Sequence, residues 1–214
     1  MSWRRIWMLC GLFIGATAWA QANFPNKPVN IIVPFPPGGA ADQPSRLFGQ
    51  AMNNVWKSGT VVVTRPGAGG AIASDAVAKS PADGYTVLMA TTSTHAILPV
   101  ANAQLPYDAQ RDFVALGLVA KAPNVLVVSP SLGVTTVKAL IELARSKPGQ
   151  LSFASSGNGT ITHLVSEAFN KAAGIQATHV PYKTGVQALS DMVSGAIAYQ
   201  FDSITWTLPQ AKAG

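Results

Sequence analysis

The first half of the chain alternates short β-branched runs with segments of helical periodicity. Three apolar runs predict strands, at Val29–Val33, Thr60–Thr64 and Tyr85–Ala90. Between them, helices are predicted over Ala41–Trp56 and Ala71–Lys79. In the first helix, Leu47, Ala51 and Val55 recur at four-residue steps on one face, which is typical of a face packed on a core. This order is a βαβαβ start and favours a doubly wound α/β sheet.

A second alternating series follows a mixed segment, residues 91–111, in which Pro99 and Pro106 interrupt any long periodicity. The segment predicts a link with one short helix. Strands are then predicted at 114–120, 124–128, 151–155, 177–182 and 196–201. The helices between them are predicted over 137–145, with Thr135 or Thr136 at its start, over 161–173, ending at Gly174, and over 185–193. Two alternating halves predict two α/β lobes with a cleft between them.

The N-terminus changes how the composition is interpreted. Arg4 and Arg5 precede an apolar run, 6–16, and the small-x-small sites 18–20 and 20–22 follow it, which is the pattern of a secretory signal peptide over residues 1–22. An uncleaved anchor is the alternative. Cleavage removes the one cysteine, so a periplasmic protein without disulfides is expected. Net charge is +6, but no basic block or basic–aromatic stripe occurs, so no nucleic-acid partner is predicted.

Four strand-to-loop junctions carry unusual polar chemistry. They are the sequences PFPPGGAAD (34–42), TTSTH (91–95), ASSGNGTITH (154–163) and FDSIT (201–205). Ligands of open α/β sheets lie beyond the carboxyl ends of strands, and helix N-termini favour anions. Asp42 would either cap its helix or meet a donor on the ligand. Each turn also has a purely structural interpretation, because Gly-rich turns and Ser or Thr caps are common, and His95 and His163 would then be structural hydrogen-bonding groups.

Motifs for catalysis and cofactor binding are missing from the sequence. It contains no G-x-S-x-G nucleophile elbow, no P-loop and no G-x-G-x-x-G, and it shows no metal-ligand pair. No catalytic residue, cofactor or metal is therefore predicted. An exported α/β protein with helix-terminus anion sites and no catalytic set is typical of a binding protein.

These turns resemble those of one family. The segments FPNKPVNIIVPFPPGGAAD, RPGAGGAIASDAVAKSPADGYTVLMATTSTHAILP and HVPYKTGVQALSDMVSGAIAYQFD are similar to the Bug, or TctC-like, substrate-binding proteins of tripartite tricarboxylate transporters. The resemblance implies a two-lobed periplasmic-binding-protein (Venus flytrap) fold, with lobe 1 over residues 23–112 and lobe 2 over 113–214. It also implies a small organic acid or amino acid as ligand and the membrane subunits of a tripartite transporter as partners.

The resemblance also implies which residues bind the ligand, by backbone amides, hydroxyls and ordered water. On one side these are Phe35, Gly38, Gly39 and Asp42, and on the other Ser155, Ser156, Asn158, Gly159, Thr160 and His163. The same cleft is expected to receive Thr91, Thr92, Thr94, His95, Tyr182 and Asp202.

The length of the chain differs from that of the family it resembles. Family members continue past the position of Gly214, so the first lobe is expected to be incomplete and the chain to fold poorly or aggregate when expressed alone. Two alternatives to a working receptor follow. The chain is a non-functional truncated remnant of such a receptor, or it is an exported enzyme that uses His95 or His163 as a base on a small carboxylate.

Overall fold

The computed structural model describes residues 24–183 and 185–213. The predicted signal peptide, residues 1–22, lies outside the described residues. Within the described part, none of the helices combines the length and the apolar character that crossing a membrane requires.

The first sheet has three parallel strands in the order β2-β1-β3. Its strands are β1 (Val29–Val33), β2 (Thr60–Thr64) and β3 (Thr86–Leu88), and the helices that connect them are α1 (Asp42–Val55) and α2 (Ala71–Ala78). The central strand β1 is almost entirely buried, as its β-branched run predicts. The predicted βαβαβ start is therefore confirmed, with ends that differ by one or two residues.

The prediction that Leu47, Ala51 and Val55 of α1 pack on the core is wrong. Leu47 and Val55 are 67% and 70% exposed, whereas Ser45 and Gly49 on the opposite side are buried. The reason is close packing on β2: the Thr60 hydroxyl donates to the Gly49 carbonyl over 2.8 Å. A Cβ atom at Gly49 would lie only 3.1 Å from Thr60 Oγ1. Only a helix face made of small residues can therefore approach the sheet this closely.

A short helical segment and a long irregular one join the two sheets. A π-helix over Ser93–Ile97 runs into α3 (Leu98–Ala101), which agrees with the one short helix that the sequence predicts. The predicted strand at 114–120 is not formed, and Val114 and Leu116 are 87% and 82% exposed. Apolar, strand-like composition does not suffice there, because a strand also needs a neighbouring strand to accept its backbone hydrogen bonds, and no described strand pairs with this segment.

The second sheet has four strands in the order β4-β7-β5-β6. Its strands are β4 (Asn124–Val128), β5 (Leu151–Ser155), β6 (Ala177–Pro181) and β7 (Tyr199–Ser203), and its helices are α4 (Val137–Ser146), α5 (Ile161–Ala173), α6 (Gly185–Val193) and α7 (Ile204–Ala213). Strand β4 is antiparallel to β7, so the sheet is mixed rather than all parallel. Strand β7 lies later than predicted. The sequence analysis missed α7, which contains Pro209.

Buried aromatic rings form the centre of the second lobe. Phe153 of β5 and Tyr199 of β7 are fully buried and pack with Leu140 and Ala144 of α4. The Tyr199 hydroxyl donates to the side-chain carbonyl of Asn170 on α5, so the buried phenol has a partner. At the start of α4, Thr136 Oγ1 accepts from the amide of Ala139, as predicted for a cap.

The packing of α1 generates a test of stability. Replacing Gly49 with Leu forces side-chain atoms against Thr60 and Val62, whereas Ala51→Leu adds the same kind of side chain on the exposed face. We expect Gly49→Leu to lower the free energy of unfolding by about 1–3 kcal/mol or more, and Ala51→Leu to change it by less than about 0.5 kcal/mol. Urea unfolding measures both. Equal losses in the two variants would contradict the assigned orientation of α1.

Candidate ligand-binding site

A cavity of about 1810 Å³ lies between the two sheets, at the carboxyl ends of their parallel strands. The chain that follows β1, β3, β5, β6 and β7 contributes to its wall. The volume exceeds the roughly 300–1,000 Å³ of an ordinary small-molecule pocket. It does so because the cavity continues past the strand ends along β3 and the irregular segment, residues 109–122. The candidate site is the part between the turns.

The first turn satisfies the amides of both its glycines with its own acceptors. The Gly38 amide donates to Asp42 Oδ2 over 2.8 Å, and the Gly39 amide donates to the Pro36 carbonyl over 3.3 Å. These glycines line the cavity, but their N–H groups are not free for a ligand. Within the part of the chain that the structure describes, the N–H groups of Ala40 and Ala41, which also line the cavity, have no acceptor. They are the available donors at the start of α1.

Asp42 holds the first turn with its side chain and does not line the cavity. Its side chain is buried, outside the cavity wall, and Oδ2 accepts from Gly38 and from Arg46 Nε, each over 2.8 Å. Burial alone would raise the pKa of this carboxyl. The hydrogen bonds from Arg46 and Gly38, together with the positive charge of Arg46, outweigh that effect and lower it. Asp42 therefore stays ionised and fixes the turn.

The second turn closes on itself around Thr94, which is fully buried. Thr94 Oγ1 accepts from the Thr91 amide over 3.0 Å and lies 2.9 Å from His95 Nδ1. The His95 ring also packs edge-on against Phe113, with centroids 4.7 Å apart. Burial lowers the pKa of His95, so its imidazole is neutral near pH 7. His95 lines the cavity, together with Thr91 and Thr92.

The third turn forms the opposite wall and joins the lobes. Its amides at Ser156 and Gly157 donate within the turn, to Thr162 Oγ1 over 2.9 Å and to Ser155 Oγ over 3.1 Å. The amide of Ile161 crosses to the first lobe and donates to Ser93 Oγ over 2.9 Å. This bond holds the N-terminus of α5 against the π-helix segment. The sequence analysis gave Ser93 no separate role, because its importance depends on a partner 68 residues away.

The fourth junction places an acid in the wall. Asp202, at the end of β7, lines the cavity, and its Oδ1 accepts from the Ser203 amide over 2.7 Å. Burial raises the pKa of Asp202 to about 6, and the hydrogen bond from Ser203 only partly opposes this. Tyr182 lines the same wall, and its hydroxyl donates to Asp191 over 2.5 Å. Burial, this hydrogen bond and the Asp191 charge raise the pKa of Tyr182 to about 12.

The structure brings most of the predicted site residues together at the cavity. Those that line it are Phe35, Gly38, Gly39, Thr91, Thr92, His95, Ser155, Ser156, Thr160, Tyr182 and Asp202. Those that do not are Asp42, Thr94, Asn158, Gly159 and His163. Polar lining residues without a role in the sequence analysis include Ser93, Thr162, Lys183, Gln200 and Ser203. Ser93, Thr162 and Ser203 lie inside the four predicted junctions. The sequence analysis therefore located these junctions but did not identify which of their residues line the cavity.

The charge of the wall is nearly balanced. Lys183 is the one lysine in the described lining, which contains no arginine, and the acids there are Asp112 and Asp202. An anion would therefore meet mainly neutral hydroxyl and amide donors. Of the two histidines named in the enzyme alternative, His163 does not line the cavity, whereas His95 does and has its Nδ1 atom 2.9 Å from Thr94 Oγ1.

The family described as "Tripartite tricarboxylate transporter family receptor" matches residues 46–214. Among curated proteins, the "UPF0065 protein in tcbD-tcbE intergenic region" of Pseudomonas sp. (strain P51) is 41% identical, covering 85% of this chain and 54% of its own. "Protein BugT" of Bordetella pertussis is 34% identical, covering 100% of this chain and 67% of its own. The chain thus spans about half to two thirds of the length of these relatives.

Solved structures agree with this assignment. A structure described as "R. palustris Rpa4515 with adipate" superposes with a TM-score of 0.86 at 35% identity, covering 89% of this chain and 64% of that one. "MatC (Rpa3494) from Rhodopseudomonas palustris with bound malate" superposes with a TM-score of 0.82 at 25% identity, covering 89% and 65%. The described residues therefore have the α/β fold of periplasmic binding proteins. By its sequence match and its fold, the chain belongs to the tripartite tricarboxylate transporter receptor (TctC) family.

Proposed function

We propose that this chain forms the ligand cleft of a periplasmic receptor that captures a small organic carboxylate for the membrane subunits of a tripartite transporter. The observation that carries the proposal is the cavity wall. Just before α1, the amides of Ala40 and Ala41 have no acceptor among the described residues. Opposite them stands the Ser156 hydroxyl, beside those of Ser155 and Thr160, which already donate to the Gly157 carbonyl. Helix N-terminal amides and hydroxyls are the groups that bind carboxylates without a fixed counter-charge.

Neutral donors suit transport better than an ion pair does. A buried arginine would hold a carboxylate by paired, charge-assisted hydrogen bonds, and the described wall contains none. Donors held by the protein's own hydrogen bonds need no reordering when the ligand arrives, which favours binding, while the modest energy of each neutral bond permits release. The related structures described with adipate and with bound malate support a dicarboxylate of that size as the first probe.

The same proposal places the protein in the periplasm. The signal-peptide pattern over residues 1–22 and the family membership support export to the periplasm. There, closure of two lobes on a ligand would present the loaded receptor to the transporter's membrane subunits.

The Ala41 amide gives a direct test of binding. Proline at position 41 removes the N–H group, and the backbone φ of −91° there is near the range that proline accepts. We expect adipate to raise the melting temperature of the protein, and Ala41→Pro to weaken adipate binding by about tenfold or more. Calorimetric titration measures the affinity.

Ala41→Gly is the matched control because it changes the side chain and keeps the amide. It should bind adipate within about threefold of the unchanged protein, since no hydrogen bond to the ligand is lost. Equal affinity in Ala41→Pro and Ala41→Gly would remove this amide from the site. If neither adipate nor malate shifts the melting temperature of the folded protein, the proposed ligand class is wrong.

The pKa of Asp202 predicts a pH-dependent repulsion of anions. Above pH 6 this carboxylate is largely ionised and adds a negative charge to the wall, whereas Asn at position 202 is neutral and still accepts from Ser203. We expect Asp202→Asn to bind adipate about three- to tenfold more tightly near pH 7.5, with the difference vanishing near pH 5. Weaker binding of adipate by Asp202→Asn near neutral pH would contradict the repulsion.

The same variant should also change the free energy of unfolding in a pH-dependent way. Most aspartates have a lowered pKa in the folded state and stabilise the fold more as pH rises, whereas the raised pKa of Asp202 has the opposite effect. The folded-state pKa is raised from 3.8 to about 6, so the stability is fully present below the unfolded-state value and is lost as pH rises through about 6. Relative to the unchanged protein, Asp202→Asn should therefore gain free energy of unfolding progressively between about pH 4 and about pH 6 and keep a constant gain above that, as urea titrations at several pH values would measure.

A further inference from the structure

Two imidazoles stack behind the third turn of the cleft. His163 at the start of α5 and His179 in the middle of β6 lie face to face, with centroids 4.0 Å apart and ring planes 14° from parallel. His179 in turn stacks on the buried ring of Phe153, at 5.0 Å and 22°. The pair is thus fixed against the core of the second lobe on the side of the sheet that α5 covers.

Each imidazole hydrogen-bonds one end of the Ser155–Thr160 loop. His179 Nε2 lies 2.6 Å from Ser155 Oγ, the same hydroxyl oxygen that accepts from the Gly157 amide. His163 Nδ1 accepts from the Gly159 amide over 3.3 Å. Neither ring lines the cavity, whereas Ser155 and Thr160 do. The histidines therefore bracket the loop from the side opposite the ligand.

We propose that His163 and His179 are positioning residues that hold the Ser155–Thr160 loop in its ligand-binding shape, and that protonation of His163 at Nδ1 releases Gly159 and weakens ligand binding. The proposal rests on the proposed receptor function and assigns a pH response to the same site. Its physical basis is the acceptor role of Nδ1. A neutral imidazole can accept at Nδ1 only while its proton is on Nε2.

Proton uptake removes that acceptor. With a proton on each nitrogen, the Nδ1–H group of His163 would face the N–H group of Gly159, so the hydrogen bond is lost and two donors are opposed. The Nε2 atom of His163 lies 3.8 Å from Glu167 Oε1, which attracts the charge to this ring. Burial, and then the positive charge of His163, lower the pKa of His179. His179 therefore stays neutral, and the loss of one acceptor, Nδ1 of His163, is the change that acts on the loop.

The other groups around the pair do not offset this effect. On β5 the neighbours are the uncharged Phe153 and Ser155, and on β7 the ring of Tyr199 packs beyond Phe153. Burial raises the pKa of Tyr199, so its hydroxyl stays protonated across the relevant range. On α5 the charged neighbour is Glu167. The pH response of the loop is therefore set by the two imidazoles and this carboxylate.

The double variant His163→Asn with His179→Gln isolates the titration from the hydrogen bonds. The Asn carbonyl oxygen can stand near Nδ1 and the Gln amide near Nε2, and neither amide takes up a proton in this range. Adipate affinity should be similar in the unchanged protein and the double variant near pH 7.5. Near pH 5.5 we expect the unchanged protein to bind about three- to tenfold more weakly than the double variant, the effect of about one hydrogen bond.

Comparison at each pH cancels the titrations of adipate and of Asp202, which both proteins share. His95→Asn is the matched control, because His95 is the third histidine of the chain, and this variant should keep the pH-dependent weakening. His163→Leu, which loses the acceptor at every pH, should bind adipate more weakly than the double variant near pH 7.5. The same pH profile in the unchanged protein and the double variant would overturn the proposal.

A ligand-free measurement separates this proposal from the receptor function. The protection factor of the Gly159 amide against hydrogen exchange, taken relative to an unstructured chain at the same pH, should fall by about three- to tenfold between pH 7.5 and 5.5 in the unchanged protein and stay constant in the double variant. A constant protection factor in the unchanged protein would overturn the positioning role. Failure of adipate to bind any of these proteins, with the protection result as expected, would reject the receptor proposal for adipate and leave the loop-holding role supported.

Discussion

The site depends on one constraint, which is that the parallel strands of both sheets end at the same cleft. A parallel strand must be followed by a crossover, and here the crossovers begin with turns that lead into helices. Turn amides, helix N-termini and capping side chains are therefore gathered at one edge of each sheet. The cavity and its polar wall are consequences of this topology, and the bond from Ile161 to Ser93 joins its two sides.

The turns are held mainly by their own hydrogen bonds. Asp42 binds the Gly38 amide, Thr94 binds the Thr91 amide, and Thr162 binds the Ser156 amide. Each of these bonds takes a donor or acceptor that the sequence alone would have given to a ligand. What remains, at Ala40 and Ala41 and at a few hydroxyls, is a small set of donors on a rigid support. Such preorganisation would let a few neutral groups bind the proposed carboxylate.

The second lobe links its core to this wall through aromatic rings. Tyr199, Phe153, His179 and His163 stack in sequence, from the buried centre of the sheet to the loop at the cavity. The same column that packs the core therefore also fixes the side chains that hold the loop. Under the proposal above, a change at its outer end would act on the geometry of the loop although neither imidazole lines the cavity.

The sequence by itself determined where most strands and helices lie, because β-branched runs, helix caps and Gly-rich turns are local signals. It located the four turns and the family, and it predicted β1, β2, β5 and α5 to within a residue or two. The tertiary structure alone decided that α1 packs by Gly49 instead of Leu47, that β4 runs antiparallel, and that residues 114–120 form no strand. It also decided which turn residues face the cavity. Each of these outcomes depends on a partner distant in the chain, such as Thr60 for Gly49 or Ser93 for Ile161, and a local pattern carries no information about such a partner.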